Sequence, residues 1–208
     1  MITNESSSQK IRITAILIGL NVAVYIYTSL AGGSFFVTSN SMVLQYGQVN
    51  GLVMYYGAYY QLFTSMFVHA SVIHLAGNML FLLVFGLRGE EMFSLLEYLG
   101  IYILGGLAGN VLSLLMGPDL ISVGASGAIF GVLGAVMIYM RRSVGQSIMS
   151  ALIYVFFLFT LNIAPGVNIL AHLGGLVMGL VLGYILAATR KRRQYVTYQY
   201  NYPSSYSW

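Results

Sequence analysis

Residues 168–193 read NILAHLGGLVMGLVLGYILAATRKRR, an apolar segment that runs into four consecutive basic residues. A helix needs roughly 20 apolar residues to cross the hydrocarbon core of a bilayer, and the part from about Asn168 to Ala188 has that length. Basic residues collect on the cytoplasmic side of membrane helices. This stretch therefore predicts a transmembrane helix that ends at the basic run.

The composition of the whole chain predicts the same environment. Of its 208 residues, 58% are hydrophobic and 7% are charged, and the mean hydropathy is +0.81. A soluble domain needs more polar surface than this, so we expect an integral membrane protein surrounded by lipid. The formal charge of +4 does not indicate a nucleic-acid groove, because the basic residues lie beside or between the apolar segments.

Five further apolar segments precede the one quoted above. They run from about Ile11 to Ala31, Leu62 to Leu87, Leu95 to Met116, Ser126 to Met140 and Ile148 to Ile163. The first has no obvious small-residue cleavage site and is interpreted as a retained span, not as a signal peptide. We therefore predict an all-α polytopic membrane protein with six transmembrane helices in residues 11–189, flanked by residues 1–10 and 190–208.

The basic residues support this number of spans. With a cytoplasmic N-terminus, six spans place every Lys and Arg on the cytoplasmic side: Lys10, Arg12, Arg88, Arg141, Arg142 and residues 190–193. No basic residue is left in the three external connections, as the positive-inside rule requires. Both termini are therefore expected in the cytoplasm. The tail after residue 193 is rich in Tyr, Gln, Asn and Ser and is predicted to be disordered.

The segment from Gly32 to Tyr60 is too long for a tight turn and carries many aromatic residues. They are Phe35, Phe36, Tyr46, Tyr55, Tyr56, Tyr59 and Tyr60. Aromatic side chains with polar tips are favoured at the interface between membrane and water. We expect a structured external loop that lies partly in that interface.

Ser126 is the first candidate for a chemical role. It lies at the start of the fourth predicted span, in the sequence GASGAIFG of residues 124–131. The flanking Gly124 and Gly127 leave room for another chain to approach, and the free N–H groups of a helix start favour a developing negative charge. A helix from Ser126 to Met140 covers only about 22 Å, so Ser126 is expected below the outer membrane surface.

His172 is the candidate partner of Ser126. An ionisable side chain inside the membrane is costly and indicates a functional site, although a single His can instead be satisfied by a backbone carbonyl. His172 is expected about one turn below the outer end of its helix, at the depth of Ser126. No acidic residue is available at that depth, so the sequence allows a Ser–His dyad in which His172 accepts the hydroxyl proton.

Small residues recur every four positions along the helix that carries His172. They are Ala171, Gly175, Gly179 and Gly183. Such a stripe permits close approach of a second helix, which a Ser–His contact needs. A packing stripe with no chemical role is the alternative.

The second predicted span supplies His69, His74 and Asn78. The last two are four residues apart and share a helix face. Both can donate hydrogen bonds to an oxyanion, each worth roughly 2.7–4 kcal/mol in serine hydrolases. A zinc site is the alternative, but no carboxylate lies nearby and His69 and His74 are not on one face. We therefore predict no metal, and we expect His69 to brace the external loop.

Three motifs in this chain resemble those of the rhomboid family. They are His69 followed by His74-x3-Asn78, then Gly124-x-Ser126-Gly127, then Ala171-His172-x-Gly174-Gly175. They occur in this order on the second, fourth and sixth predicted spans, and the resemblance covers roughly residues 10–190. It implies a rhomboid-like six-helix bundle of the compact prokaryotic form, in a cell membrane.

The resemblance also implies roles for individual residues. Ser126 would be the nucleophile and His172 the general base, while His74, Asn78 and the Ser126 amide would form the oxyanion hole. Phe130 matches the aromatic position that packs against the catalytic His. The family cleaves transmembrane helices of protein substrates near their outer end, without metal or cofactor. The implied partners are such substrates and the lipid bilayer, with no nucleic acid; the oligomeric state does not follow.

The chain departs from the family in its first external segment. Many members carry a Trp-Arg pair there, whereas the only Trp of this chain is Trp208 and no Arg occurs between residues 32 and 60. The sequence therefore does not predict how this segment is anchored.

Two other functions are compatible with a membrane protein of this size. A catalytically inactive relative that only binds other proteins would usually lack the Ser or the His, and both are kept here. A small-molecule transporter would explain the buried polar residues, but neither internal repeats nor charges in mid-membrane are visible. A further hypothesis concerns substrate entry: Phe156, Phe157 and Phe159 are candidates for a side gate, with residues 164–168 as a cap over the site.

Overall fold

The computed structural model describes residues 13–144 and 167–190. Its helices are α1 (Ile13–Ala31), α2 (Asn40–Tyr46), α3 (Asn50–Tyr56), α4 (Gln61–Thr64), α5 (Val72–Met92), α6 (Leu95–Ser113), α7 (Ser126–Val144) and α8 (Ile169–Thr189). A 3-10 turn, Leu114–Met116, extends α6. Two short strands, β1 (Gln48–Val49) and β2 (Ile121–Ser122), pair antiparallel. The predicted fifth span, the gate residues on it and both chain ends lie outside the described residues.

Four of the described helices are long and apolar enough to cross a membrane. They are Ile13–Ala31, Val72–Met92, Leu95–Met116 and Ile169–Thr189. The helix that starts at Ser126 is apolar over a shorter length, up to Arg141. The predicted fold class, an all-α polytopic membrane protein, is confirmed, and the first, third and last predicted spans agree closely with observed helices.

The second predicted span differs from the observed helix. The sequence predicts a span from about Leu62 to Leu87, whereas α5 begins at Val72 and ends at Met92. Ser71 caps α5 by accepting a hydrogen bond from the His74 amide at 3.2 Å. Residues 66–68, which extended the apolar pattern toward the N-terminus, are instead buried within the protein before the helix starts. Apolar content alone does not separate a buried connection from a membrane helix.

Helices α7 and α8 pack against each other through their backbones. Gly175 faces the backbone of Gly127, and an added methyl group would overlap the carbonyl oxygen there. Gly179 faces Gly131 in the same way. Helix α6 also packs against α7, where a methyl group on Gly105 would lie 2.9 Å from the Cα atom of Gly131. The small residues of the last span are thus a helix-packing surface.

Residues 32–60, the predicted external segment, are anchored by buried amide side chains. Gln48 is fully buried and donates to the carbonyl oxygen of Asn110 and to the hydroxyl of Ser113, both at 2.9 Å. Asn50 is also fully buried and donates to the carbonyl oxygens of Ser113 and Gly117 at 2.9 and 2.8 Å. These bonds tie the segment to the end of α6. They supply the anchor that the sequence did not predict.

The external segment is structured, as predicted. It contains α2, α3 and β1, and the pairing of β1 with β2 places Gln48 opposite Ser122. Most of its aromatic side chains are exposed on the surface of the protein; those more than half exposed are Phe35, Phe36, Tyr55, Tyr56, Tyr59 and Tyr60. Because β2 leads directly into the segment before Ser126, the external segment and the candidate site are physically joined.

Gly179→Ala is expected to destabilise the bundle. Alanine is normally the better helix former by roughly 0.8–1 kcal/mol, but here its methyl group would overlap the carbonyl oxygen of Gly131. Overpacking commonly costs roughly 1–3 kcal/mol and occasionally more, so the thermal midpoint in detergent should fall.

The matched control for this variant is Gly19→Ala in α1. No atom lies within 4 Å of the methyl position there, so helix propensity alone acts and the midpoint should stay or rise. Equal midpoints for the two variants would contradict the packing of α7 against α8 described above.

Candidate active site

Ser126 is the first residue of α7, and the chain reaches it through a turn at Gly124. The φ angle of Gly124 is +124°, a conformation that L side chains rarely adopt. A methyl group at this position would also lie 2.9 Å from ring atoms of His74. The Gly124 amide donates to the carbonyl oxygen of Ser65 at 2.9 Å. Glycine is therefore needed at 124 both for the turn and for the approach of His74.

His172 lies in the first turn of α8, and its ring reaches Ser126. The Nε2 atom of His172 lies 2.8 Å from the Oγ atom of Ser126. Gly127 directly follows Ser126, and Gly175 lies about one turn after His172. The backbone contact between these two glycines holds α7 and α8 close enough for the Ser and His side chains to meet.

Phe130 packs flat against the imidazole ring of His172. The ring centroids are 4.5 Å apart and the ring planes differ by 22°. Both side chains are buried. Phe130 lies one turn after Ser126 on the same face of α7, so one helix carries both the hydroxyl and the ring against which the imidazole rests. The stacked ring limits rotation of the imidazole and shields one of its faces from water.

A cavity of 820 Å³ contains the Ser126–His172 pair together with His74 and Asn78. The rest of its wall is largely apolar and includes Ile73, Phe81, Phe85, Ile129 and Leu133. The structure thus brings seven of the eight predicted site residues together at one cavity: His74, Asn78, Gly124, Ser126, Gly127, Phe130 and His172.

Asn78 is buried and lies one helical turn after His74 in α5. Its Nδ2 atom donates to the carbonyl oxygen of His74 at 3.0 Å. An amide nitrogen carries two N–H groups, so one N–H remains for a group bound in the cavity. The Oδ1 atom of Asn78 is buried and has no hydrogen-bond partner in the described part of the chain.

His69 is fully buried and does not line the cavity. Its Nδ1 atom lies 3.2 Å from the carbonyl oxygen of Phe67, and its ring meets His74 edge to face with centroids 5.2 Å apart. Burial and, to a smaller extent, the neighbouring His74 together lower the pKa of His69 to about 3. The hydroxyl of Thr38 donates to the His69 carbonyl oxygen at 2.7 Å. His69 is therefore a neutral ring beside His74, and its backbone is tied to the external segment.

Three polar residues of the cavity wall have no individual role in the sequence analysis: Asn110, Ser122 and Asn168, the last of which ends the predicted cap, residues 164–168. Asn110 donates to the carbonyl oxygen of Leu62 at 2.7 Å and to the hydroxyl of Ser65 at 2.9 Å. An Asn in the middle of an apolar span is costly unless it is paired, and that signal was available. Ser122 carries no such signal, because a Ser in a loop is ordinary.

The described charged residues lie mostly at the other end of the helices. Arg190 follows α8, forms an ion pair with Glu97 and donates to the Tyr139 hydroxyl at 3.0 Å. Arg88 pairs with Glu91 at 2.9 Å near the end of α5. Within residues 13–144 and 167–190, no carboxylate forms a hydrogen bond with His172, and no group of three or more His, Cys, Asp or Glu is placed to hold a metal ion.

Comparison with known proteins gives several matches. A sequence profile of the rhomboid domain matches residues 56–189. RHOMBOID-like protein 6, mitochondrial, of Arabidopsis thaliana is 38% identical over 133 residues, which cover 61% of this chain and 43% of that protein. Rhomboid-like protease 3 of Toxoplasma gondii is 33% identical over 130 residues, covering 57% of this chain and 48% of that protein.

A bacterial relative is matched over most of its length. YdcA of Bacillus subtilis strain 168 is 30% identical over 167 residues, which cover 76% of this chain and 84% of that protein. The chain spans less than half the length of the Arabidopsis and Toxoplasma relatives. The domain profile covers more than half of this chain and includes α5, α6, α7 and α8. The chain therefore belongs to the rhomboid family.

Proposed function

We propose that this protein is an intramembrane serine protease that cleaves transmembrane helices of protein substrates near their outer end. The observation that carries the proposal is the 2.8 Å distance between Ser126 Oγ and His172 Nε2. The pair lies in a cavity of a membrane protein, and one similar protein is named Rhomboid-like protease 3. A serine hydroxyl beside a neutral imidazole is the arrangement that nucleophilic acyl transfer needs.

Acylation begins with proton transfer from Ser126 to His172. As Nε2 takes the hydroxyl proton, Oγ bonds to the carbonyl carbon of the scissile peptide and the carbonyl oxygen becomes an oxyanion. The C–N bond then breaks, and the imidazolium returns the proton to the leaving amine. A water molecule, with His172 again as base, hydrolyses the acyl–Ser126 ester. Water is the only co-reactant in this sequence of steps.

The oxyanion is stabilised by donors that surround Ser126. His74 and Asn78 line the same cavity from α5, and the Ser126 amide is one of the free N–H groups at the start of α7. In our proposal these three groups donate to the oxyanion. The positive end of the α7 dipole favours the same charge.

The membrane placement follows from the length of α7 and from the charges. Its apolar part, Ser126–Arg141, covers roughly 24 Å, which is less than the roughly 30 Å of a hydrocarbon core. The pair therefore lies below the membrane surface at its own end of the bundle. Arg88, Arg141 and Arg190 lie toward the opposite ends of their helices, and that end is assigned to the cytoplasm by the positive-inside rule.

The remaining features of the topology belong to the same proposal. Residues 11–189 form the membrane domain, and residues 1–10 and 190–208 flank it on the cytoplasmic side. The bacterial protein YdcA, matched over most of its length, supports a prokaryotic cell membrane as the location. The exposed aromatic residues of the external segment then lie in the outer interface.

A fluorophosphonate probe tests the nucleophile. Wild-type protein in detergent should be labelled at Ser126, and Ser126→Ala should not be labelled. Cleavage of a model transmembrane substrate should be lost in Ser126→Ala and in His172→Ala, because each removes one partner of the proton transfer. Ser41→Ala removes an exposed hydroxyl of the external segment and is the control. Cleavage by His172→Ala above about 1% of wild type would contradict the role of His172 as base.

His74→Ala and Asn78→Ala test the oxyanion hole. Each should lower kcat by roughly 10²–10³ with little change in KM, since the lost bond forms in the transition state. Leu80→Ala is the control, because Leu80 is exposed on the same helix. A loss confined to KM would indicate substrate binding instead of oxyanion stabilisation.

The pH dependence of cleavage tests the base. Activity should fall as the pH is lowered, because the imidazolium form of His172 cannot accept the Ser126 proton. The rate is measured on a model transmembrane substrate from about pH 3 to 8. The residual activity of His74→Ala should show the same fall, which separates His172 from its neighbour. A flat profile would contradict the assignment.

A further inference from the structure

One hydrogen bond joins the two chain segments that lead to Ser126 and His172. The Nδ2 atom of Asn168 donates to the Oγ atom of Ser122 at 3.0 Å. Ser122 lies four residues before Ser126, and Asn168 lies four residues before His172. Both residues line the cavity that holds the pair. The bond therefore connects the entry to α7 with the entry to α8 at the rim of the site.

The orientation of the Asn168 amide is fixed by α8 itself. The Oδ1 atom of Asn168 accepts from the Ala171 amide at 3.0 Å, as an N-cap residue does. The Asn168 carbonyl oxygen accepts from the His172 amide at 3.2 Å. Because the Ala171 amide can only donate, it must face Oδ1, and Nδ2 is directed to Ser122. The cap and the bond to Ser122 thus use different atoms of one side chain.

Ser122, which accepts this bond, lies in a segment that other parts of the protein hold in place. It lies in β2, opposite the fully buried Gln48 of β1. Two residues later the Gly124 amide donates to the Ser65 carbonyl oxygen at 2.9 Å. The segment that enters α7 is therefore held on both sides of Val123, and a bond from Asn168 to Ser122 attaches α8 to a rigid part of the protein.

The glycine contact between α7 and α8 does not by itself fix their relative position along the helix axis. Gly127 and Gly175 allow close approach but carry no side chains that interlock. A shift of α8 along its axis would change the distance from His172 to Ser126 directly. Displacements of about 1 Å in a catalytic geometry can cost roughly 100-fold in rate.

We infer that Asn168 is a positioning residue, which sets the distance between His172 and Ser126 through its bond to Ser122. The inference rests on the proposed function, since it concerns the geometry of that proton transfer. A role as helix cap alone would need only Oδ1, and a Ser at 168 would supply a capping oxygen equally well. The bond from Nδ2 is the part of the structure that a cap does not require.

Four variants separate the bond from the cap. Ser122→Ala removes the acceptor and leaves the α8 cap intact, while Ser122→Thr keeps a hydroxyl in a strand position that favours β-branched residues. Asn168→Ser keeps a capping oxygen and removes Nδ2. Ser41→Ala is the matched control, because Ser41 forms a hydrogen bond with Ser39 on the external segment and does not line the cavity. The readouts are the rate of fluorophosphonate labelling, kcat and KM on a model transmembrane substrate, and the thermal midpoint.

The Ser122→Ala and Asn168→Ser variants should each be labelled roughly tenfold more slowly than wild type. Their kcat should be lower and their KM unchanged. Their thermal midpoint should equal that of the Ser41→Ala control. Ser122→Thr should restore the rate. The double variant Ser122→Ala/Asn168→Ser should be no slower than the slower single variant, since both remove one bond.

Two results would overturn the inference. The first is a Ser122→Ala variant that is labelled at the wild-type rate and has the wild-type kcat. The second is a loss of labelling rate and kcat that Ser122→Thr does not restore and that parallels a fall in the thermal midpoint. Failure of the proposed function looks different, because the wild-type protein would then not be labelled at Ser126 at all.

Discussion

The backbone contact between α7 and α8 is the constraint on which the rest of the site depends. Gly127 meets Gly175, and Gly131 meets Gly179, with no side chain between them. Lipid provides no hydrophobic force that would push two apolar helices together, so their association relies on close van der Waals packing and hydrogen bonds. Any larger side chain in this contact would separate the helices and move the imidazole of α8 away from the hydroxyl of α7.

Buried amide side chains supply hydrogen-bond partners that the bilayer cannot provide. Hydrocarbon offers no hydrogen-bond partner, so irregular backbone at membrane depth must be satisfied by the protein. Gln48 and Asn50 do this for carbonyl groups at and after the end of α6, and Asn110 does it for the connection before α5. The same bonds hold β1 in place, and β1 holds β2, which leads to Ser126. Stability of the external segment and geometry of the site therefore come from one set of bonds.

The meeting of Ser126 and His172 could be predicted from the sequence more readily than the surroundings of the pair. Ser126 and His172 were found from their glycine neighbours, their predicted depth and the resemblance, and the structure places them 2.8 Å apart. The predicted start of the second span is wrong, because residues 66–68 are apolar but are buried inside the protein before α5 begins. No individual role could be predicted for Asn168 and Ser122, since a polar residue at a helix start or in a loop fits many local environments.

The sequence by itself determined the membrane environment of the chain. Apolar length specifies membrane helices, because it depends only on local composition, and the positions of the basic residues predict their orientation. Only the tertiary structure decided which polar groups meet. The bonds from Gln48 to Asn110, from Asn168 to Ser122 and from His172 to Ser126 join residues 46 to 62 positions apart. Such pairs are set by how the helices pack, and no local pattern records that packing.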